Sequence, residues 1–217
     1  MGAEGIGAAV RRKEDFRFLT GRGNYTDDIN RPGQTHAYFL RSQVAHATIG
    51  KIDTSKAAKA PGVVAIFTGA DFAADGKGGL PCGWLVKNKD GSPMQEPPHP
   101  VLAQGKVRHV GDPIAVVIAE TREQAKDAAE LIEVDLKELP VVGTMADAVK
   151  PGAAKIHDGG NVCYDWHIGD KDACDAAFKK AFKVAKLDLV NNRLIPNAME
   201  PRAAIGDFDR ATGEYTL

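Results

Sequence analysis

Cysteine is scarce in this sequence, and the few cysteines are poorly placed for cross-linking. There are three, Cys82, Cys163 and Cys174, and no C-x-x-C pair. An odd number at wide spacing excludes a disulfide framework and a cysteine-ligated cluster. A chain of 217 residues is long enough to bury a hydrophobic core without such cross-links.

An excess of one charge and long apolar runs are also missing. The 28 Lys and Arg residues nearly balance the 29 Asp and Glu residues, with both signs interspersed, so we expect no nucleic-acid partner. Apolar runs such as Ile114–Ala119 are far shorter than the roughly 20 residues that cross a bilayer, so no membrane insertion is expected. Arg11, Arg12 and Lys13 follow the N-terminal apolar stretch instead of preceding it. The sequence therefore predicts a cytoplasmic protein without a secretory signal.

The patterns that are present predict a mixture of strands and helices. Ile114–Ala119 is a continuous apolar run, typical of a buried strand. Thr121-Arg-Glu-Gln124 is a capping box that opens a helix, and the alternating run Val134–Leu139 is predicted to close a β-α-β unit. Further strands are predicted over residues 35–40, 49–53 and 63–67. We therefore predict an α+β fold with a small domain that ends near residue 140.

Glycine and proline mark the loops and the second part of the chain. Residues 75–100 are predicted to form a long surface loop, a kind of segment that often carries function. Residues 151–161 are interpreted as a linker, followed by a helix over residues 170–180. Residues 182–190 alternate with one slip at Ala185-Lys186, which predicts a bulged strand. Residues 203–209 and 214–217 are predicted to form a hairpin.

Few residue patterns suggest chemistry. The sequence has only three serines and no G-x-S-x-G motif, so a serine nucleophile is not predicted. His157, Cys163 and His167 could supply soft metal ligands, but no fourth ligand follows at matching spacing, and we predict no metal site. His36 and His46 are interpreted as hydrogen-bonded structural histidines.

Glu200 is the most suggestive acidic residue. It lies in the phrase Asn197-Ala-Met-Glu-Pro-Arg202. Pro201 restricts Glu200 to an extended conformation, and Arg202 could neutralise its carboxylate. The residues alone favour a local salt bridge over a role in a site, and they provide no catalytic constellation.

A series of phrases occurs in one order along the chain and carries a resemblance. The phrases are residues 12–29, Pro32-Gly33, His36-Ala37, Arg41-Ser42, Ala45-His46-Ala47, Pro61-Gly62-Val63, Thr68-Gly69-Ala-Asp71, Val110–Val117 and Asn197–Arg202. Together they closely resemble the opening of the molybdopterin-binding large subunits of molybdenum hydroxylases, the family of xanthine dehydrogenase, aldehyde oxidoreductase and aerobic carbon monoxide dehydrogenase.

The resemblance implies a domain plan. Large subunits of this family begin with an α/β-hammerhead domain, which would match residues 18–140 behind an N-terminal arm of residues 1–17. Residues 141–161 would form a linker. Residues 162–217 would form the first strands of the molybdopterin-binding domain, which is incomplete here.

The resemblance also implies the chemistry of a complete assembly. Such an assembly is an oxidoreductase that uses water as its oxygen source, with molybdopterin on the large subunit and 2Fe-2S clusters and FAD on partner chains. The family's catalytic residues come after the last residue of this sequence, so no catalytic, cofactor-binding or metal-ligating residue and no cofactor is expected on this chain alone. Glu200 matches an acidic position just ahead of a family glutamine near the molybdenum. It is therefore predicted, with Met199, to lie near the active site.

Two functions remain open at this point. The first is the N-terminal portion of a hydroxylase large subunit, inactive alone, which binds the remaining molybdopterin-binding chain or domain, an Fe-S subunit and a FAD subunit. The second is a non-catalytic assembly or docking module that binds other hydroxylase subunits. The sequence stops inside a predicted hairpin strand at Tyr215-Thr216-Leu217. That end favours the first function.

Overall fold

Short helices and strands follow one another along the chain. The computed structural model describes residue 5 and residues 7–191, 194–199 and 201–217. In chain order the elements are α1 (Asp15–Leu19), β1 (His36–Arg41), β2 (Ala47–Asp53), β3 (Val63–Thr68), α2 (Gly69–Ala74), β4 (Lys106–Val107), β5 (Pro113–Ala119), α3 (Arg122–Glu130), β6 (Glu133–Glu138), α4 (Met145–Ala148), α5 (Lys171–Lys180), β7 (Asp207–Phe208) and β8 (Tyr215–Thr216). Every helix among these residues is too short or too polar to cross a membrane.

Backbone contacts divide the chain into two units. One unit spans Gly33–Ala185 and contains β1 to β6 with α2 to α5. The other combines the described residues up to Pro32 with those from Lys186 onward. Within this second unit, the guanidinium of Arg31 forms an ion pair with the carboxylate of Asp207.

Strand β5 is the centre of an antiparallel sheet in the unit Gly33–Ala185. It lies between β1 and β3, with Val117 opposite Tyr38 on one side and Ile66 on the other. Almost all of its side chains are buried, as expected for a strand that is covered on both faces. The buried strand predicted at Ile114–Ala119 is confirmed.

The two faces of β5 pack against different layers. On one face, Val117 and its alternate neighbours contact three buried alanines of α3. On the other face, Ile114 packs with Ala47 of β2 and Val107 of β4. These two strands belong to a second antiparallel sheet with the order β4-β2-β6. The hydrophobic core of this unit therefore has two parts, one on each side of β5.

Both helices beside the central sheet begin with side-chain caps. The predicted capping box is confirmed, because Thr121 Oγ1 accepts from the Gln124 N–H (3.2 Å) and Gln124 Oε1 accepts from the Thr121 N–H (3.0 Å). Helix α2 is absent from the sequence prediction, yet it is capped similarly. The Asp71 carboxylate accepts from the N–H and the hydroxyl of Thr68, at 2.7 and 2.8 Å. These bonds hold the pKa of Asp71 below its usual value.

The predicted β-α-β unit is wrong. Strands β5 and β6 do flank α3, but they belong to different sheets, and β6 pairs antiparallel with β2 through Val134 opposite Ile52. The alternating pattern correctly predicts a strand with one apolar face. It does not reveal which strand will pair with it, because the apolar face contacts the core whatever the neighbouring strand is.

The bulged strand predicted over residues 182–190 is also wrong. This segment has no regular secondary structure, and Phe182, Leu187 and Leu189 are strongly exposed. A strand needs a neighbour for its backbone hydrogen bonds, and no described residue pairs with this segment. The predicted hairpin is confirmed in shortened form, since β7 pairs with β8.

The predicted loop over residues 75–100 is confirmed. It contains no strand beyond an isolated bridge between Lys87 and Pro93. The loop is nevertheless anchored to the segment that follows residue 160. The Gln95 N–H donates to the Cys163 carbonyl at 2.8 Å, and Lys89 Nζ lies 2.8 Å from the Asp165 carboxylate.

Gly69, at the start of α2, packs tightly against a backbone carbonyl. A Cβ at this position would collide with the Ala103 oxygen, which is backbone and cannot move aside as a flexible side chain could. We expect Gly69→Ala to lower the free energy of unfolding by about 1–3 kcal/mol in urea titrations. Gly78→Ala is the matched control, because a Cβ there meets nothing within 4 Å. Equal stability of the two variants would contradict the close approach.

Candidate functional site

Of the two residues predicted to lie near an active site, the structure describes Met199 and does not describe Glu200. The side chain of Met199 is fully exposed. Glu200 lies outside the described residues, so the structure says nothing of its carboxylate. A role for either residue near an active site stays a prediction.

The spacing pattern of His157, Cys163 and His167 does not produce a cluster. In the part of the chain that the structure describes, no three His, Cys, Asp or Glu side chains are placed to hold a metal ion together. Cys163 and the other two cysteines are free and exposed.

His46 has a structural hydrogen bond, as predicted. Its Nδ1 lies 2.8 Å from the Pro140 carbonyl oxygen, which can only accept, so Nδ1 carries the proton. The residue is buried, and its Nε2 has no hydrogen-bond partner among the described residues. This bond attaches the segment after β6 to the loop between β1 and β2.

A cavity in the unit Gly33–Ala185 is lined by one residue that the sequence singles out, His157. We call it the Arg108 cavity. It has a volume of about 360 Å³ and is lined by residues 97–100, 103, 108–109, 112 and 156–157.

One wall of the Arg108 cavity is a rigid turn between β4 and β5. The Asp112 carboxylate accepts from the Arg108 N–H at 2.9 Å, so it is already engaged inside the turn. Ser42 holds the turn from outside, because its N–H donates to the Asp112 carbonyl (2.9 Å) and its own carbonyl accepts from the Gly111 N–H (2.8 Å). The backbone of Arg108 is thereby fixed. Its side-chain Nε is buried and has no partner among the described residues.

The opposite wall is set by one amide side chain. Asn161 Oδ1 accepts from the Ile156 N–H at 2.9 Å, and Asn161 Nδ2 donates to the carbonyls of Ala148 (3.1 Å) and Ala154 (2.8 Å). Three bonds from one side chain close the segment into a compact loop. This loop places Ile156 and His157 against the cavity.

His157 is less basic than a free histidine. Partial burial lowers its pKa most, the positive charge of Arg108 lowers it further, Asp158 raises it and His46 lowers it slightly. The imidazole is therefore neutral at pH 7. Because the unfolded chain binds this proton more tightly, His157 makes the fold less stable as the pH falls below the unfolded pKa of about 6.5.

The influence of Arg108 on His157 can be measured directly. We expect an NMR titration midpoint for His157 below 6.5. In Arg108→Gln the midpoint should rise, because one positive charge is gone, yet remain below 6.5 because burial persists. Arg122→Gln, on the exposed side of α3, should leave the midpoint unchanged. If the midpoint of His157 is the same in Arg108→Gln as in the unmodified chain, Arg108 and His157 are not close together.

Sequence reasoning missed Arg108. A signal was available, since a charged residue follows buried Val107 directly and precedes the Gly111-Asp112-Pro113 turn. A cation at the end of a buried strand needs either solvent or a partner.

The fold described above defines the class of protein. Residues 20–140 match the family described as "Aldehyde oxidase and xanthine dehydrogenase, a/b hammerhead domain". The chain belongs to this family. The α+β class and the hammerhead domain implied by the resemblance are confirmed.

The particular relatives are large subunits of oxidoreductases. The chain is 36% identical to the carbon monoxide dehydrogenase large chain of Afipia carboxidovorans, over 99% of this chain and 27% of the relative. It is 36% identical to the nicotine 6-hydroxylase large subunit of Paenarthrobacter nicotinovorans, over 94% of this chain and 24% of the relative. The chain thus spans about a quarter of the curated relatives it matches.

The chain is also similar to solved structures of such oxidoreductases. A Cu,Mo-CO dehydrogenase in its carbon monoxide reduced state superposes with a TM-score of 0.64 at 36% identity, covering 84% of this chain and 23% of that chain. Quinoline 2-oxidoreductase from Pseudomonas putida 86 gives a TM-score of 0.61 at 41% identity, covering 71% of this chain and 19% of that chain.

Proposed function

We propose that this chain is the N-terminal portion of the large subunit of a molybdenum-dependent hydroxylase or dehydrogenase. The complete complex would be an oxidoreductase that uses water as its oxygen source and passes electrons to Fe-S and FAD partners in the cytoplasm. The observation that carries the proposal is similarity over nearly the whole chain to a quarter of a carbon monoxide dehydrogenase large chain. The similar proteins are named for different compounds, namely carbon monoxide, nicotine and quinoline. We therefore propose the class of reaction and no particular substrate.

The apolar surface of the segment after residue 185 supports this proposal. Large aliphatic side chains there are almost fully exposed, namely Leu187, Leu189, Val190, Leu194 and Ile195. Exposed aliphatic side chains in such number are typical of a contact with another domain or chain. The proposed occupant is the remaining part of the molybdopterin-binding domain.

The described residues provide no set of side chains that could hold a metal ion. The three cysteines are free and exposed. We therefore assign no step of the hydroxylation to this chain and propose that molybdopterin, 2Fe-2S and FAD are held by partner chains. Met199 and Glu200 are proposed to border the active site of the complete assembly.

Co-purification tests the proposal. The tagged 217-residue chain is expressed alone and with three partners, namely a chain carrying the rest of a large subunit, an Fe-S subunit and a FAD subunit. Alone, the chain should contain no stoichiometric molybdenum by mass spectrometry. Together, the partners should co-elute with it and carry the metals and flavin. Stoichiometric molybdenum on the lone chain, or failure of the large-subunit remainder to co-elute, would overturn the proposal.

A further inference from the structure

The Arg108 cavity is lined by a cation whose Nε is buried. The buried Nε of Arg108 has no acceptor among the described residues, although a buried N–H group normally finds one. The nearest carboxylate of the lining, that of Asp112, accepts from the backbone N–H of Arg108. A guanidinium is an N–H donor that retains its charge at every physiological pH, so a group that pairs with this Nε must be an acceptor, preferably an anion.

The charges of the lining limit which anion is favoured. Arg108 contributes one positive charge and Asp112 one negative charge, while His157 is neutral at pH 7. A doubly charged phosphate would be repelled by Asp112 and would need more than one cation to balance it. A single carboxylate matches the planar edge of one arginine.

The other residues that line the cavity indicate what kind of group could be attached to the anion. Three prolines, Ala103 and Ile156 form apolar walls, and the ring of His157 adds a flat polar surface. The volume of about 360 Å³ lies at the small end of known ligand pockets. These walls favour a compact apolar group attached to the anion.

We propose that the Arg108 cavity is a binding site for a small organic monocarboxylate with an apolar body. The carboxylate accepts a charge-assisted hydrogen bond from the Arg108 guanidinium, and the apolar body packs against the prolines of residues 97–100 and Ile156. This proposal does not rest on the proposed hydroxylase function.

The probe is benzoate, with benzamide as its neutral isostere and inorganic phosphate as a second anion. In ¹H–¹⁵N NMR titrations of the 217-residue chain, benzoate should shift the amides of residues 108–112 and 156–157 in a saturable manner. Benzamide should bind at least about tenfold more weakly, since it lacks the charge. Equal binding of benzamide, tighter binding of phosphate, or no saturable shift with benzoate would each overturn the proposal.

Substitutions locate the effect at Arg108. Arg108→Gln should weaken benzoate binding at least about tenfold, whereas Arg122→Gln on α3 should leave it unchanged. Arg108→Lys keeps the charge and should retain part of the affinity. If Arg108→Gln fails to fold, the lysine variant and the benzoate-to-benzamide ratio on the unmodified chain decide the outcome. Unchanged benzoate affinity in a folded Arg108 variant would contradict the assignment.

Discussion

Val117→Asp is expected to unfold the unit Gly33–Ala185 at 25 °C. Val117 is completely buried at the centre of β5, where it packs against α3. A carboxylate there would lose its hydration without gaining a partner, at a cost of about 5 kcal/mol or more. That cost is comparable with the whole stability of a typical domain, which is about 5–15 kcal/mol. Circular dichroism and urea titration should show loss of the cooperative transition.

Val64→Asp is the control for this substitution. Val64 belongs to the neighbouring strand β3 but is 61% exposed and lies where the register with β5 shifts. The same chemical change should therefore alter the free energy of unfolding by no more than about 0.5 kcal/mol. A cooperative transition of normal size in Val117→Asp would show that β5 is not the centre of the core.

The second large effect concerns association. Leu187→Asp combined with Leu189→Asp should abolish co-elution with the remainder of a large subunit, because both exposed side chains are proposed to be buried there. Burial of two leucines contributes about 3–6 kcal/mol, so the dissociation constant should rise by more than about 100-fold. Analytical ultracentrifugation or surface plasmon resonance measures the change.

Two controls separate association from folding. The double variant should keep the thermal midpoint of the unmodified chain, because neither leucine belongs to a buried cluster of the described residues. Val149→Asp, an equally polar change at another exposed position, should associate normally. Retained association of the double variant would remove the segment after residue 185 from the proposed interface.

Local signals in the sequence predicted the elements whose structure depends on local physics. The continuous run Ile114–Ala119 specifies a strand that is buried on both faces, and Thr121 with Gln124 specifies where α3 begins. Both features depend on residues within one element. The pairing of β6 with β2 depends on residues far apart in the chain, so periodicity alone gave the wrong sheet.

The Arg108 cavity could not be predicted from the sequence for the same reason, because residues far apart in the chain form it. Its far wall exists because Asn161 folds the segment behind Ile156, and its near wall because Ser42 holds the turn at Asp112. No local pattern links Ser42, Arg108 and His157, so sequence reasoning did not bring them together. The alternation of residues 182–190 misled for the opposite reason. Apolar residues there were interpreted as a bulged strand, whereas the segment has no regular structure and its apolar side chains are exposed.

The strand order β1-β5-β3 has a consequence for synthesis on the ribosome. Strands β1 and β3 leave the ribosome before β5, and among the described residues β5 is the strand with which each of them pairs. Until Ala119 has emerged, both early strands keep open edges that can pair with other chains. Such long-range pairing also slows folding, because the intervening loop must close before any ladder forms. Nascent chains of this protein are therefore expected to be most prone to aggregation before β5 has emerged.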